Sequence, residues 1–325
     1  MGVLDLVPRL NDASAEQALQ QAVLLAQRAE VWGYTRYWTS EHHDMDELAS
    51  AAPEVLLAHI GARTESIQLG SGAVLLPHYS PLKVAESFRL LASLYPGRIE
   101  LGLGRAPGGG PHAAMALSGN YLQHVATLPA ALASLTELLE DRYTYENVPV
   151  TARPIPDIPL SLWMLGTNVK SAAYAAQFGM GYVFGQFMSD SDGVEAVQRY
   201  RKDFVPSARL KEPEVMVAIR VLCAASEDEA LTWSREMAER RKKEQEVYPI
   251  REDTTQTAPY NNTSQAGDND ALRQVVGTPE QVWRYIRELG QRLRTNRILV
   301  VTAGPDYERR LESYRLLMEG LSEQQ

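Results

Sequence analysis

Short runs of apolar residues alternate along this chain with longer stretches in which apolar positions recur every three or four residues. The short runs lie at 3–7, 35–39, 67–75, 99–103, 160–165, 181–184, 215–223 and 298–302. They read as continuously apolar, as strands covered on both faces of a parallel sheet do. The intervening stretches, near 15–33, 52–64, 81–95, 127–140, 168–178, 191–205, 226–247 and 279–290, carry helical periodicity, and a last amphipathic stretch lies near 306–320. Eight strands, each followed by a helix, predict an α/β fold, a closed (β/α)8 TIM barrel spanning residues 1–325 as one domain.

Local punctuation agrees with several of these boundaries. Ser226 precedes the acidic run Glu227, Asp228 and Glu229, and Thr278 precedes Pro279, both patterns that open a helix. Gly33, Gly179 and Gly290 fall where a helix is expected to stop, because glycine takes the left-handed conformation of a C-terminal cap. Two segments break the rhythm, 108–119 after the fourth strand and 249–270 before the eighth. Both are polar and nearly free of Leu, Ile and Val, a composition shared by active-site lids and disordered loops.

Composition narrows the function classes. With 45% apolar and 22% charged residues the chain has the make-up of a globular protein, and no apolar run reaches the roughly 18 residues of a membrane span. The first residues carry Asp5 and no preceding basic region, so they do not read as a signal peptide, and a cytoplasmic location is expected. A net charge of −9 disfavours nucleic acid, and the basic cluster Arg240, Arg241, Lys242 and Lys243 reads as a solvated helix face. The single cysteine, Cys223, sits among apolar neighbours as a small buried hydrophobe, so redox chemistry requires a cofactor.

In a barrel, residues just past the C-terminal strand ends line the active mouth. The second strand runs into Ser40, Glu41, His42, His43 and Asp44. One of these histidines could move a proton near neutral pH with a neighbouring carboxylate orienting it, or the group could be a polar turn. No metal site is expected, since adjacent residues of an extended segment point apart and the helical His-Glu-x-x-His spacing is missing. Gly70, Ser71, Gly72 and Ala73 interrupt the third strand with small residues, for close approach of a flat ligand or for packing. Arg105 leaves the fourth strand with no acid nearby in sequence, which suits a phosphate ligand or a surface arginine. At the fifth strand's end Thr167 and Asn168 precede a helix with Ser171 in its first turn, an anion site or an ordinary cap. Arg105 and this helix start, coming from adjacent strands, converge on one phosphate.

Four segments together resemble bacterial-luciferase-like flavin monooxygenases, most of all the family's group 1 oxidoreductases. They are YTRYWTSEHHD from Tyr34, LLPHYSP ending at Pro81, GRIELGLGRAPG from Gly97, and VGTPE from Val276. The similarity is strongest over 1–110 and resumes at 160–185 and 272–320. It implies a barrel that binds reduced FMN (FMNH2) at its mouth, receives it from a separate flavin reductase, and oxidises a small organic substrate with O2 through a flavin C4a-hydroperoxide. On matched positions His42 is the catalytic histidine, Gly72 and Ala73 form the segment against the flavin ring, often through a non-proline cis peptide, and Arg105 binds the phosphate. Asn168 and Ser171 match residues contacting that phosphate, with Thr167 beside them, and 249–270 matches a mobile lid. The chain departs from the family at His78 and Tyr79, where Asn-His is common, and at Thr167 and Asn168, where Ser is common. Two other readings share the resemblance: an F420-dependent hydride-transfer oxidoreductase, and a flavin-binding protein without turnover. Apolar faces on the helices at 52–64 and 81–95 are expected to form a family-like homodimer.

Overall fold

A computed structural model describes residues 1–247, 273–302 and 304–322. Its core is a ring of eight strands: β1 (Gly2–Asp5), β2 (Arg36–Thr39), β3 (Gln68–Ser71), β4 (Ile99–Gly104), β5 (Ser161–Gly166), β6 (Gly181–Gly185), β7 (Val215–Cys223) and β8 (Arg297–Val301). Each pairs in parallel with the next, and β8 returns to β1 with Leu299 opposite Gly2. This is the closed (β/α)8 barrel that the alternation predicts.

Burial explains why the strands read as continuous apolar runs. All nine residues of β7 are buried. Met216 and Ala218 face the barrel interior with Leu4, Trp38, Trp163, Val183 and Leu299, whereas Val217, Ile219 and Val221 pack outward against helices. The interior is filled by Trp38 and Trp163, edge to face with ring centres 6.1 Å apart. Neighbouring strands make room for them with glycine: a Cβ on Gly70 would lie 2.3 Å from the Trp38 indole, and one on Gly181 2.2 Å from that of Trp163. Below them Arg36 pairs with Glu100 at 3.1 Å, and Trp38 Nε1 donates to the same carboxylate at 2.7 Å.

The outer layer comprises α1 (Ala15–Val31), α2 (Pro53–Gly61), α3 (Pro81–Leu94), α4 (Leu128–Leu139), α5 (Val169–Gln177), α6 (Val194–Asp203), α7 (Glu227–Val247), α8 (Pro279–Leu293) and α9 (Tyr307–Ser322). Ser226 Oγ accepts the Glu229 N–H, and Thr278 opens α8 in a reciprocal capping box with Gln281. Gly33 and Gly179 take positive φ just after α1 and α5, as expected. Gly290 does not end its helix: α8 continues to Leu293 and Arg294 supplies the left-handed residue. Its carbonyl accepts the Thr295 N–H at 2.9 Å, and a Cβ at 290 would stand 2.7 Å from Thr295 O. Glycine is needed there for the chain's close return.

Other expectations are corrected. The third run splits, with Val74–Leu75 pairing separately with Leu103–Gly104. Segment 108–119 is largely helix Pro111–Ser118, followed by helix Tyr121–Ala126, because Pro111 at the first helical position and the alanines after it favour helix despite the polar flanks. A strand at Gln274–Gly277, unread in the sequence, lines up beside β7. Arg240 is not merely solvated, since it donates to Asn11 Oδ1 at 2.9 Å and to the Pro305 carbonyl at 3.1 Å. Cys223 is buried, and burial pushes its thiol up to about 12. The expected lid at 249–270 lies outside the described residues. Among the described residues no helix is long and apolar enough to cross a membrane.

Candidate active site

The C-terminal strand ends surround a cavity of about 530 Å³. Of the residues expected to carry chemistry, His42, Gly72, Ala73, Arg105, Thr167, Asn168 and Ser171 all line it.

At the end of β2 the chain is held by buried Ser40, Glu41 and Ser50. His42 donates its backbone N–H to Ser50 O at 2.8 Å, and its ring Nδ1 lies 3.0 Å from Ser40 Oγ. His42 is half-buried at the cavity wall; desolvation first, and the neighbouring His43 second, push its pKa down to about 4. His42 is therefore a neutral imidazole at physiological pH, fixed at one nitrogen by a hydroxyl.

The carboxylate expected to orient a histidine does so, but the histidine is His43. Glu41 Oε1 accepts from His43 Nε2 at 2.8 Å and from Tyr79 OH at 2.7 Å, while Oε2 accepts the Leu75 N–H at 3.0 Å. Side chains of adjacent residues on extended backbone diverge, which puts His42 and Glu41 on different errands. Through these bonds Glu41 ties the end of β2 to the chain just beyond Gly72 and Ala73. The peptide between those two residues is cis. Ser71 stitches the same level to β4, its hydroxyl donating to Gly102 O at 2.8 Å and accepting the Gly102 N–H at 3.0 Å.

Arg105 leaves β4 and meets the start of α5. Its Nε donates to Ser171 Oγ at 3.2 Å and its Nη2 to Asn168 Oδ1, also at 3.2 Å. Asn168 Oδ1 also caps α5, accepting the N–H groups of Lys170 and Ser171 at 3.1 and 3.3 Å. The arginine, the hydroxyl, the amide and the positive end of a helix thus meet at one spot. Thr167 contributes backbone: its carbonyl accepts Ser189 Oγ at 3.3 Å.

Three contributions were not read from the sequence. Tyr121 donates to the Arg105 carbonyl at 2.5 Å and stacks on His78, ring centres 5.2 Å apart. His78 Nε2, from the turn after the third strand, donates to Pro107 O at 2.8 Å, so His78 and Tyr121 together brace the Arg105 loop. Burial, outweighing that carbonyl, lowers the His78 pKa. Phe187 and Met188, after β6, form an apolar wall, and Arg273 stands just before the added strand. Asn120 ahead of Tyr121, which caps its helix, and the apolar run Gln274–Gly277 were the available signals.

The family model described as luciferase-like monooxygenase matches residues 1–296. The chain belongs to that family. It is accordingly an oxidoreductase of the monooxygenase type. A luciferase-like monooxygenase of Escherichia coli strain K12 is 35% identical over 98% of this chain and 95% of its own. The N-acetyl-S-alkylcysteine monooxygenase of Bacillus subtilis is 40% identical over 67% of this chain and 65% of its own. Among solved structures, apo-MsnO8 superposes with a TM-score of 0.86 at 32% identity, covering 99% of this chain and 98% of that one.

Proposed function

We propose that this luciferase-like monooxygenase binds reduced FMN in the mouth cavity and uses it with O2 to oxygenate a small organic substrate. One observation carries the reading: Arg105 from the end of β4 meets the Asn168 and Ser171 side chains at the start of α5, after β5, at one spot on the cavity wall. A phosphate dianion suits that donor set, and the cavity falls within the roughly 300–1,000 Å³ of small-ligand sites. From the cradle the wall runs along Gly104, Gly72 and Ala73, whose small side chains let a flat ring lie against backbone.

Bound in its reduced state, FMN supplies the electrons that activate O2, chemistry no side chain provides. Arg105, Asn168 and Ser171 hold the phosphate and so fix the distance from the cradle to the reacting ring. Glu41 and Ser71 hold the Gly72–Ala73 segment in place. His42, neutral and anchored through Nδ1, lines the cavity, where it gives or holds a proton at the oxygen being transferred. Leu6, Phe187, Met188 and Ala218 keep water from the reacting atoms. A separate reductase supplies the reduced flavin in this reading. A relative is an N-acetyl-S-alkylcysteine monooxygenase, and a small organic molecule is the substrate class proposed here too.

Anaerobic titration with FMNH2, FMN and F420, followed by mixing with O2, tests the proposal. Saturable FMNH2 binding, with a flavin spectrum on oxygenation distinct from free FMN, is the expected result. Binding of F420 alone would replace oxygenation with hydride transfer, and flavin binding without any distinct oxygenated spectrum would leave a carrier.

A further inference from the structure

A second wall of the mouth cavity is made of Leu6, Phe187, Met188 and Ala218, and the charged residue Arg273 lines the same cavity. Its side chain is only 18% exposed. It pairs through Nη2 with Asp190, whose own side chain is 78% exposed. Arg273, a residue of the cavity wall, is thus neutralised from the solvent side, by a partner that water already satisfies. Arg220 adds positive charge behind the same wall: it sits opposite Gln274 in the strand ladder, its guanidinium carbon 5.6 Å from the centre of the Phe187 ring.

Among the described residues Arg273 makes no hydrogen bond to Asn168 or Ser171, the two side chains that Arg105 engages. The phosphate cradle is complete without it. A charge in an apolar wall is costly unless an opposite charge meets it there. The planar fork of arginine takes a carboxylate by two parallel bonds, and Asp190 occupies only one nitrogen. Asp190, 78% exposed, is readily taken up by water, so an incoming anion displaces it from Arg273. Met188, unbranched and polarizable, adapts to aliphatic or thioether groups, and Phe187 offers a flat apolar face.

We propose that Arg273 anchors the substrate: it receives the carboxylate of a small monocarboxylic acid whose apolar body lies against Phe187 and Met188. This assignment rests on the reading of the cavity as the FMN and substrate site. The carboxylate fixes one end of the molecule, and the apolar wall leaves the other end, a sulfide or another oxidisable group, facing the interior.

The test uses two acids, 3-(ethylthio)propanoate and hexanoate, and their primary amides. Each is titrated calorimetrically into the full-length protein with and without FMN, for the wild type, R273Q, R273K and D190N. The wild type is expected to bind the acids at least about tenfold more tightly than the amides. R273Q loses that preference while FMN affinity stays within about twofold, R273K keeps part of it, and D190N tightens acid binding by removing the competitor. Equal affinity of acids and amides, or no binding of either acid, overturns the proposal. So does an R273Q variant that loses FMN affinity but keeps the preference, which assigns Arg273 to the cofactor. Wild-type protein that prefers acids yet binds no FMN defeats the cofactor reading and leaves the anchor standing.

Discussion

Arg105 Nε lies 3.2 Å from Ser171 Oγ, a bond between residues 66 positions apart. It exists because β4 and β5 are neighbours in register, with Leu103 beside Met164, so the last residues of both strands leave the barrel together. Two groups that mean little alone become a charged fork over a helix start. The site's chemistry follows from that adjacency.

Replacement of Arg105 by Gln is expected to weaken FMN binding by about 10- to 100-fold, because hydrogen bonds to a charged group contribute about 1.5–3 kcal/mol. Riboflavin, which lacks the phosphate, should bind the variant and the wild type alike. Fluorescence titration with both ligands decides it: a parallel loss for both would place Arg105 in support of the ring or the fold instead.

His42 makes a pH prediction with a definite sign. Its pKa, held down at about 4, lies below the ordinary value of 6.5 that it regains on unfolding. The unfolded chain therefore binds the extra proton first, and stability rises with pH from about 4 to about 6.5 and is complete above that. Urea denaturation across this range should show a flatter acid side for His42→Gln. The same variant is expected to lose about 100-fold or more in turnover with FMN affinity nearly unchanged. Unaltered turnover would remove His42 from the chemistry.

Asp5, at the end of β1, pairs with Arg310 of α9 at 2.6 Å, both side chains buried. Asp5 also accepts from Tyr37 OH and the Val7 N–H, each at 2.7 Å. Arg310→Met leaves that carboxylate buried without its cation and is expected to cost about 3–5 kcal/mol. Denaturant midpoints of R310M and of the double variant D5N/R310M check this. The double variant should recover part of the loss, and equal stability of the two would show that the Asp5 charge was not the source of the cost.

A Cβ on Gly102 would stand 2.1 Å from the backbone oxygen of Ser71. Gly102→Ala must push β3 and β4 apart at the level where the Ser71 hydroxyl stitches them, costing about 1–3 kcal/mol. Because Gly72 and Ala73 follow at once, flavin affinity should fall along with the melting temperature. A stable variant with normal affinity would show that the two strands can separate without disturbing the mouth.

The barrel was legible in the sequence because burial on both faces leaves a local mark: a parallel strand is an uninterrupted apolar run, and its helix carries one apolar stripe. Local capping was legible for the same reason, at Ser226 and Thr278. The family motifs singled out His42, Gly72, Ala73, Arg105, Asn168 and Ser171 from short-range patterns that survive in one dimension. What the sequence could not carry is pairing at a distance. Glu41 serving His43 and Tyr79, Tyr121 bracing Arg105 through its carbonyl, Gly290 admitting Thr295, and Arg273 lining the same cavity as Phe187 depend on which strand ends and inserted helices the closed ring brings side by side. Hydrogen bonds and close contacts act over a few ångströms, whatever the separation along the chain, so the fold alone decides who meets whom.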